Sequence, residues 1–287
     1  MLSLDAPLVA VTWQFFFARL AKVPLRWDQP ILLGMGVWVV YLADRWMEGW
    51  RVPAHRVLTQ RHAFPIRRRW EVLGAGLGLA GLALALAIGC LPRVEWLACL
   101  VLVLPTAVYL FSHQGLHRKL AWRIPKEFCV ALLFPLGPAL APWVNRLPSM
   151  EGIGLSGLYA AAWEGARTMG FEVCLFGVLC LANLSLISLW EAGVDEAHGQ
   201  TSIALQLGGK RRWIRLLPWG IVMGCFGLWF GAGSRDRVSL ECVGGSALLL
   251  GGLDWSESRI GREGARALAD LTLLTPVFPL VLAFFPG

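Results

Sequence analysis

The sequence predicts an all-α, polytopic membrane protein of about nine transmembrane helices, folded as a single domain over residues 1–287. Three observations predict it. Hydrophobic residues make up 56% of the chain, mean hydropathy is +0.59, and charged residues are only 16%, against about 25% in soluble domains. The apolar residues gather into nine runs near the 20 or so residues that span a bilayer. The basic residues gather in alternate connections between those runs, the asymmetry expected of a spanning chain.

The runs cover about 6–23, 30–48, 70–90, 94–112, 126–145, 168–190, 213–231, 237–254 and 268–285. Arg19 and Lys22 interrupt the first. Pro135, Pro138 and Pro142 predict that the fifth is kinked or broken, because proline removes a helical donor and crowds the preceding turn. The stretch 146–167 is amphipathic and reads as a segment lying on the membrane surface. Glycines at 74–81, 244–245 and 251–252 suit close packing of membrane helices.

With a cytoplasmic N-terminus, the connections after runs 2, 4, 6 and 8 carry 18 of the 26 Lys and Arg. The positive-inside rule favours that orientation. The net charge of +7 and pI near 9.3 therefore belong to loops and lipid headgroups rather than to a nucleic-acid partner. Asp5 stands where a signal peptide would be basic, so the N-terminus does not read as a cleavable leader. The seven cysteines form no CxxC and have no zinc spacing. They read as small core residues.

Two acidic pairs close two of the runs. Asp44 and Glu48 lie in YLADRWMEGW, and Glu191 and Asp195 lie in LWEAGVDEAHG. Each pair is spaced i, i+4, which puts both carboxylates on one helix face, one turn apart. Like charges so placed repel, so each pair asks for a cation. Both pairs fall at cytoplasmic ends, and a basic stretch follows each. Mg²⁺ takes one or two protein carboxylates and completes its shell with water and phosphate oxygens. Two such pairs on facing helices suit Mg²⁺ ions held around a diphosphate. Arg45, Arg51, Arg61, Arg69 and Lys126 are candidate clamps on the remaining oxygens, with His55 and His62 beside them. The bland reading is a set of solvated helix ends and neighbouring ion pairs.

Asn183 lies two turns before Glu191 on the same face and forms one polar stripe with Glu191 and Asp195, which favours a cavity. Gln14, Glu172, Asp254 and Asp270 are further polar groups within runs; the last three read as interface residues near helix ends. His198, Gly199, Gln200, Thr201 and Ser202 read equally as a phosphate-facing turn or as an ordinary helix cap.

On these residues the chain resembles the UbiA superfamily of intramembrane prenyltransferases, and looks closest to a divergent bacterial branch. That family carries two Asp-rich motifs at the cytoplasmic ends of helices 2 and 6 of a nine-helix bundle. Its first motif, N-D-x-x-D-x-x-x-D, is matched in its last two acids by Asp44 and Glu48, with RVLTQRHAFP resembling the basic segment that follows. Its second, D-x-x-x-D before a Gly and a Ser, is matched by Glu191 and Asp195, with Gly199 and Ser202 behind. Val40 and Tyr41 replace the first Asn and Asp, and Glu replaces Asp at two of the four remaining acids.

The resemblance implies a Mg²⁺-dependent transferase. Asp44, Glu48, Glu191 and Asp195 would be the catalytic metal ligands. Asn183, Arg45, Arg51, Arg61, His62, Lys126 and Ser202 would contact substrate. An isoprenyl diphosphate would ionise to an allylic carbocation, captured by an aromatic or other lipid-soluble acceptor. It also implies a bacterial cytoplasmic membrane, with the active-site loops on the cytoplasmic side. The shortened first motif admits a second reading, a catalytically weakened relative that binds a lipid or a partner. A transporter is a third, since paired interrupted helices also occur there.

Overall fold

The computed structural model describes residues 4–51, 68–112, 124–146, 155–197 and 201–282. All regular structure among them is helical. In lipid every backbone N–H and C=O must be paired within the protein, and a helix does this locally. The elements are α1 (Asp5–Ala21), α2 (Asp28–Arg51), α3 (Arg69–Cys90), α4 (Arg93–Phe111), α5 (Lys126–Leu133), α6 (Leu136–Asn145), α7 (Leu155–Trp190), α8 (Ala192–Ala197), α9 (Ile203–Leu207), α10 (Leu217–Trp229), α11 (Ser234–Ile260), α12 (Arg262–Ala269) and α13 (Val277–Leu282), with 3₁₀ turns at Gly208–Leu216 and Asp270–Leu274.

Most runs reappear as helices with altered bounds. The run at 126–145 breaks at Phe134–Pro135 into α5 and α6, as its prolines predict. The last run also breaks, into α12, a 3₁₀ turn and α13. The expected surface segment does not stand apart: residues from Leu155 onward belong to the 36-residue α7. Among the described residues, Trp163–Trp190 of this helix is long and apolar enough to span. Five segments are long and apolar enough to span by length and composition: Arg69–Cys90, Arg93–Phe111, Lys126–Asn145, Trp163–Trp190 and Arg262–Leu282. The count of nine thus has five such segments behind it among the described residues. α1 has only 17 residues and α10 only 13. α11 carries Asp236, Glu241, Asp254 and Glu257, which dilute its hydropathy.

The core forms where α1 and α7 meet. Trp13 stacks on Phe176 with ring centroids 3.9 Å apart, and Phe16, Phe17 and Phe134 close around that pair. Buried indole needs a partner for its N–H. Trp13 Nε1 donates to the carbonyl of Leu273 at 2.9 Å, which ties α1 to the 3₁₀ turn in the last run. The α5–α6 break serves packing too. Pro135 has no N–H to offer the carbonyl of Ala131, and Gly177 of α7 approaches that oxygen so closely that a Cβ would stand 3.2 Å from it. The glycine reading holds at Gly251, packed on Trp219, and at Gly244, packed on Cys225. It fails at 74–81. Gly74, Gly78 and Gly81 face open space, because most of α3 points outward. The cysteines are all free, but only Cys180, Cys225 and Cys242 are buried.

One end of α2 is held by ions. Arg26 bridges Asp28 at 2.7 Å and Glu95 of α4 at 2.5 Å. Gln29 donates to Glu95 at 3.2 Å and to Asn145 at 2.9 Å. Asn145 in turn donates to the Pro24 carbonyl at 2.9 Å. This cluster locks the α1–α2 connection to α4 and α6. Asp44 lies 16 residues further along α2, about 24 Å away at the helical rise.

Two stability predictions follow from these contacts. Gly177→Val forces a branched side chain against the Ala131 carbonyl and should cost about 1–3 kcal/mol, the scale of overpacking, whereas Gly78→Val should be neutral; thermal unfolding in detergent compares them. Arg26→Met strands two buried carboxylates and should destabilise by about 1–3 kcal/mol or more, read by the same melts. A melting temperature equal to wild type would show that the cluster does not hold the fold.

Candidate functional site

Three interruptions of the helices meet around one polar pocket of about 240 Å³. Phe134 lies at the α5–α6 break, Glu191 at the α7–α8 break, and Asp270 and Leu273 in the 3₁₀ turn, and all four line it. The breaks at Phe134 and at Asp270–Leu273 fall within segments long and apolar enough to span, where non-helical backbone is tolerated if it borders a cavity. α7 ends at Trp190, yet the amides of Val194 and Asp195 both donate to the Glu191 carbonyl, at 2.8 and 2.9 Å. The pair of acids therefore keeps its one-turn relation across the break.

The sequence-derived candidates divide as follows. Asp44, Arg45, Lys126, Asn183, Glu191 and Asp195 all line the pocket. Arg45 lies 3.7 Å from Asp44 and packs its guanidinium over the Tyr41 ring, 5.2 Å from the centroid. Asn183 donates to Asp270 at 2.8 Å. Glu48 and Arg51 continue α2 beyond Asp44, but their side chains are not among those described. Arg61 and His62 lie outside the described residues, as do His55 and His198–Gln200. Arg69 sits at the start of α3 over Trp70 and is not part of the pocket wall. Ser202 is fully buried, and its hydroxyl has no partner among the described residues. It does not border the pocket, so its expected contact with substrate has no support in this geometry.

The pocket also holds residues that spacing did not single out. Arg266 pairs with Glu191 through a short hydrogen bond. In the sequence Arg266 reads as a loop cation, whereas it lies inside α12. Asp270, read as an interface residue, faces the cavity and holds Asn183. Glu127 adjoins Lys126 and is 2% exposed. Its place beside a chosen cation at a helix start was the available signal. Glu172 and Asp254 lie elsewhere, paired with Arg235 at 2.8 Å and with Trp190 Nε1 at 3.0 Å.

The balance of charge defines what this pocket accepts. Its lining carries five carboxylates, Asp44, Glu127, Glu191, Asp195 and Asp270, against three cations, Arg45, Lys126 and Arg266. A diphosphate would meet net repulsion there unless cations came with it. No three of its acids are preassembled as a metal centre among the described residues. That is compatible with Mg²⁺, which binds through one or two carboxylates and takes its other ligands from water and phosphate. The donor set, all hard oxygens, fits such an ion.

A second cavity of about 380 Å³ adjoins the first and shares Tyr109, Val130 and Phe134 with it. It runs between α2 on one side and α4, α5 and α6 on the other, lined by Leu32, Leu33, Val37, Val40, Leu102 and Leu140 among others. Gln29 and Glu95 of the ion cluster stand at its far end. A polar pocket thus adjoins a larger apolar cavity, with Tyr109, Val130 and Phe134 forming walls of both.

No family model matches the chain, and no curated protein matches it by sequence. A solved apo structure of a UbiA homolog from Aeropyrum pernix K1 does match in three dimensions. The TM-score is 0.59 at 13% identity, over 99% of this chain and 100% of that one. The protein therefore has a UbiA-like, all-helical membrane fold over nearly its whole length, in agreement with the expectation from its motifs.

Proposed function

We propose that the protein is a membrane-embedded prenyltransferase of the UbiA type. In this reading it moves an isoprenyl group from a prenyl diphosphate to a lipid-soluble acceptor. The observation that carries the reading is the juncture of the two cavities. A pocket of oxygen ligands and cations adjoins, at Tyr109 and Phe134, a cavity lined mostly by hydrocarbon. A diphosphate headgroup joined to an apolar tail has that same division of chemistry.

Arg45, Lys126 and Arg266 would draw the headgroup in and donate charge-assisted hydrogen bonds to its oxygens. Mg²⁺ held by Asp195 together with Asp44, Glu48 or Glu191 would neutralise the diphosphate as it leaves. The aromatic rings of Tyr109 and Phe134 stand at the juncture, where the first carbon of the prenyl chain would lie. Their π faces stabilise positive charge developing there. The apolar groove would exclude water from the cation until the acceptor arrives. Arg61 and His62 lie outside the described residues and stand, from the sequence, as further cationic contacts for the diphosphate.

The second reading, a weakened relative that binds without turnover, draws on the Glu191–Arg266 pair, which already occupies one expected metal ligand. Incubation of purified protein with labelled prenyl diphosphates of several lengths separates the two. The transferase reading expects diphosphate release that EDTA and Asp195→Asn each reduce at least a hundredfold, with the fold intact. Tight binding without release in Mg²⁺ and a range of acceptors would leave the second reading. A further test addresses the groove. Gly36 lines it, and a Cβ built there meets nothing within 4 Å. Gly36→Phe should therefore fill the groove without disturbing its walls and shift the preference toward shorter prenyl chains; an unchanged chain-length profile would mean the tail lies elsewhere.

A further inference from the structure

Six acidic side chains are buried among the described residues: Asp28, Glu95, Glu127, Glu172, Asp195 and Asp254. A carboxylate withdrawn from water is costly unless it is paired or hydrogen-bonded, and four of the six are. Asp28 and Glu95 share Arg26, Glu172 has Arg235, and Asp254 has Trp190 with Arg215 at 3.7 Å. Glu127 and Asp195 make no hydrogen bond or ion pair among the described residues, and both line the polar pocket. Both oxygens of Glu127 are shut off from solvent and accept nothing. The backbone amides of Glu127 itself and of Ile203 lie near this carboxylate, though neither reaches hydrogen-bonding geometry. Lys126 is next in sequence but forms no ion pair with it. Asp195 lies near enough for the two negative charges to repel. The other expected ligand of the second motif, Glu191, is engaged by Arg266.

When both are ionised, two unpartnered carboxylates lining one cavity carry a charge of −2 between them. A single hard divalent cation neutralises that charge and supplies the partner each lacks. We propose that Glu127 and Asp195 together form a divalent-cation site, with Glu127 a ligand contributed by a helix outside both acidic motifs. The assignment rests on reading the pocket as a cation-assisted diphosphate site. It replaces the expected pairing of Asp195 with Glu191, and it supplies from α5 a carboxylate that the shortened first motif on α2 no longer provides.

The test uses full-length protein in detergent, titrated with Mn²⁺ alone and with Mn²⁺ plus inorganic pyrophosphate. Loss of the free-ion EPR signal counts bound metal. Wild type should bind Mn²⁺, and Glu127→Gln and Asp195→Asn should each weaken the same ion at least tenfold. Glu127→Asp, which keeps the carboxylate, should retain part of the affinity. Thermal unfolding gives a second readout: Mn²⁺ should raise the melting temperature of wild type and not that of Glu127→Gln. The metal-induced shift is what is compared, so a variant of altered stability still decides the matter. Wild-type affinity in Glu127→Gln overturns the assignment and leaves the transferase reading standing. A wild type that binds no Mn²⁺ with or without pyrophosphate overturns it as well, and points to a proton shared by the two acids. Metal binding that is lost in Glu127→Gln, in a protein that never releases diphosphate, keeps the site and removes the transferase.

Discussion

Carboxylates inside a helical membrane bundle must be neutralised, and this requirement organises much of the structure. Desolvation makes an unmatched charge cost several kcal/mol. The chain answers it locally in most places. Arg26 takes two acids at one end of α2 and, through Gln29 and Asn145, pins three helices together. Arg235 reaches from α11 to Glu172 of α7 and also donates to the Thr168 carbonyl at 2.5 Å. Asp254 accepts from Trp190 and so joins α11 to the end of α7. Each match ties together elements far apart in sequence. Where the matching stops, at Glu127 and Asp195, the structure has a cavity instead.

The same economy governs the backbone. A helix broken at membrane depth exposes carbonyls that lipid cannot solvate. Here the breaks are spent on contacts that build the site. Pro135 releases the Ala131 carbonyl and turns Phe134 to the junction of both cavities. The 3₁₀ turn at Asp270–Leu274 presents the Leu273 carbonyl to Trp13, which anchors the aromatic core, and sets Asp270 against Asn183. Core and pocket therefore share their supports. A change at the Trp13–Phe176 stack is felt at the pocket wall, because α7 carries both Phe176 and Asn183 within two turns.

What the sequence disclosed follows from what is local. The one-turn spacing of Asp44 with Glu48 and of Glu191 with Asp195 depends only on helix geometry, and three of those four acids line the pocket. The break in the fifth run was legible because proline acts on its own turn. Arg266 was not, because a basic residue after an apolar run looks the same whether it ends a loop or enters the next helix. The glycines at 74–81 misled for a related reason. Small residues permit close packing but do not say which side a neighbour is on, and α3 turns them outward. Asp270 and Glu127 sit near run ends like any interface acid. Only the arrangement of α5, α7 and α12 around a common space distinguishes them.

The departures from the family's first motif gain a physical meaning in this setting. Val40 lines the apolar groove and Tyr41 the polar pocket, where it carries Arg45 on its ring. Neither residue carries charge, so this part of the α2 wall offers hydrocarbon and an aromatic ring where the motif it resembles has an amide and a carboxylate. Among the described residues, the buried carboxylates of the pocket without a hydrogen bond or ion pair are Glu127 on α5 and Asp195 on α8. Under the cation assignment made for Glu127 and Asp195, the positive charge that receives a diphosphate would be divided. Metal would stand on the α5–α8 side, and Arg45 with its aromatic support on the α2 side. A headgroup held between the two would lie beside Tyr109 and Phe134, which line both cavities.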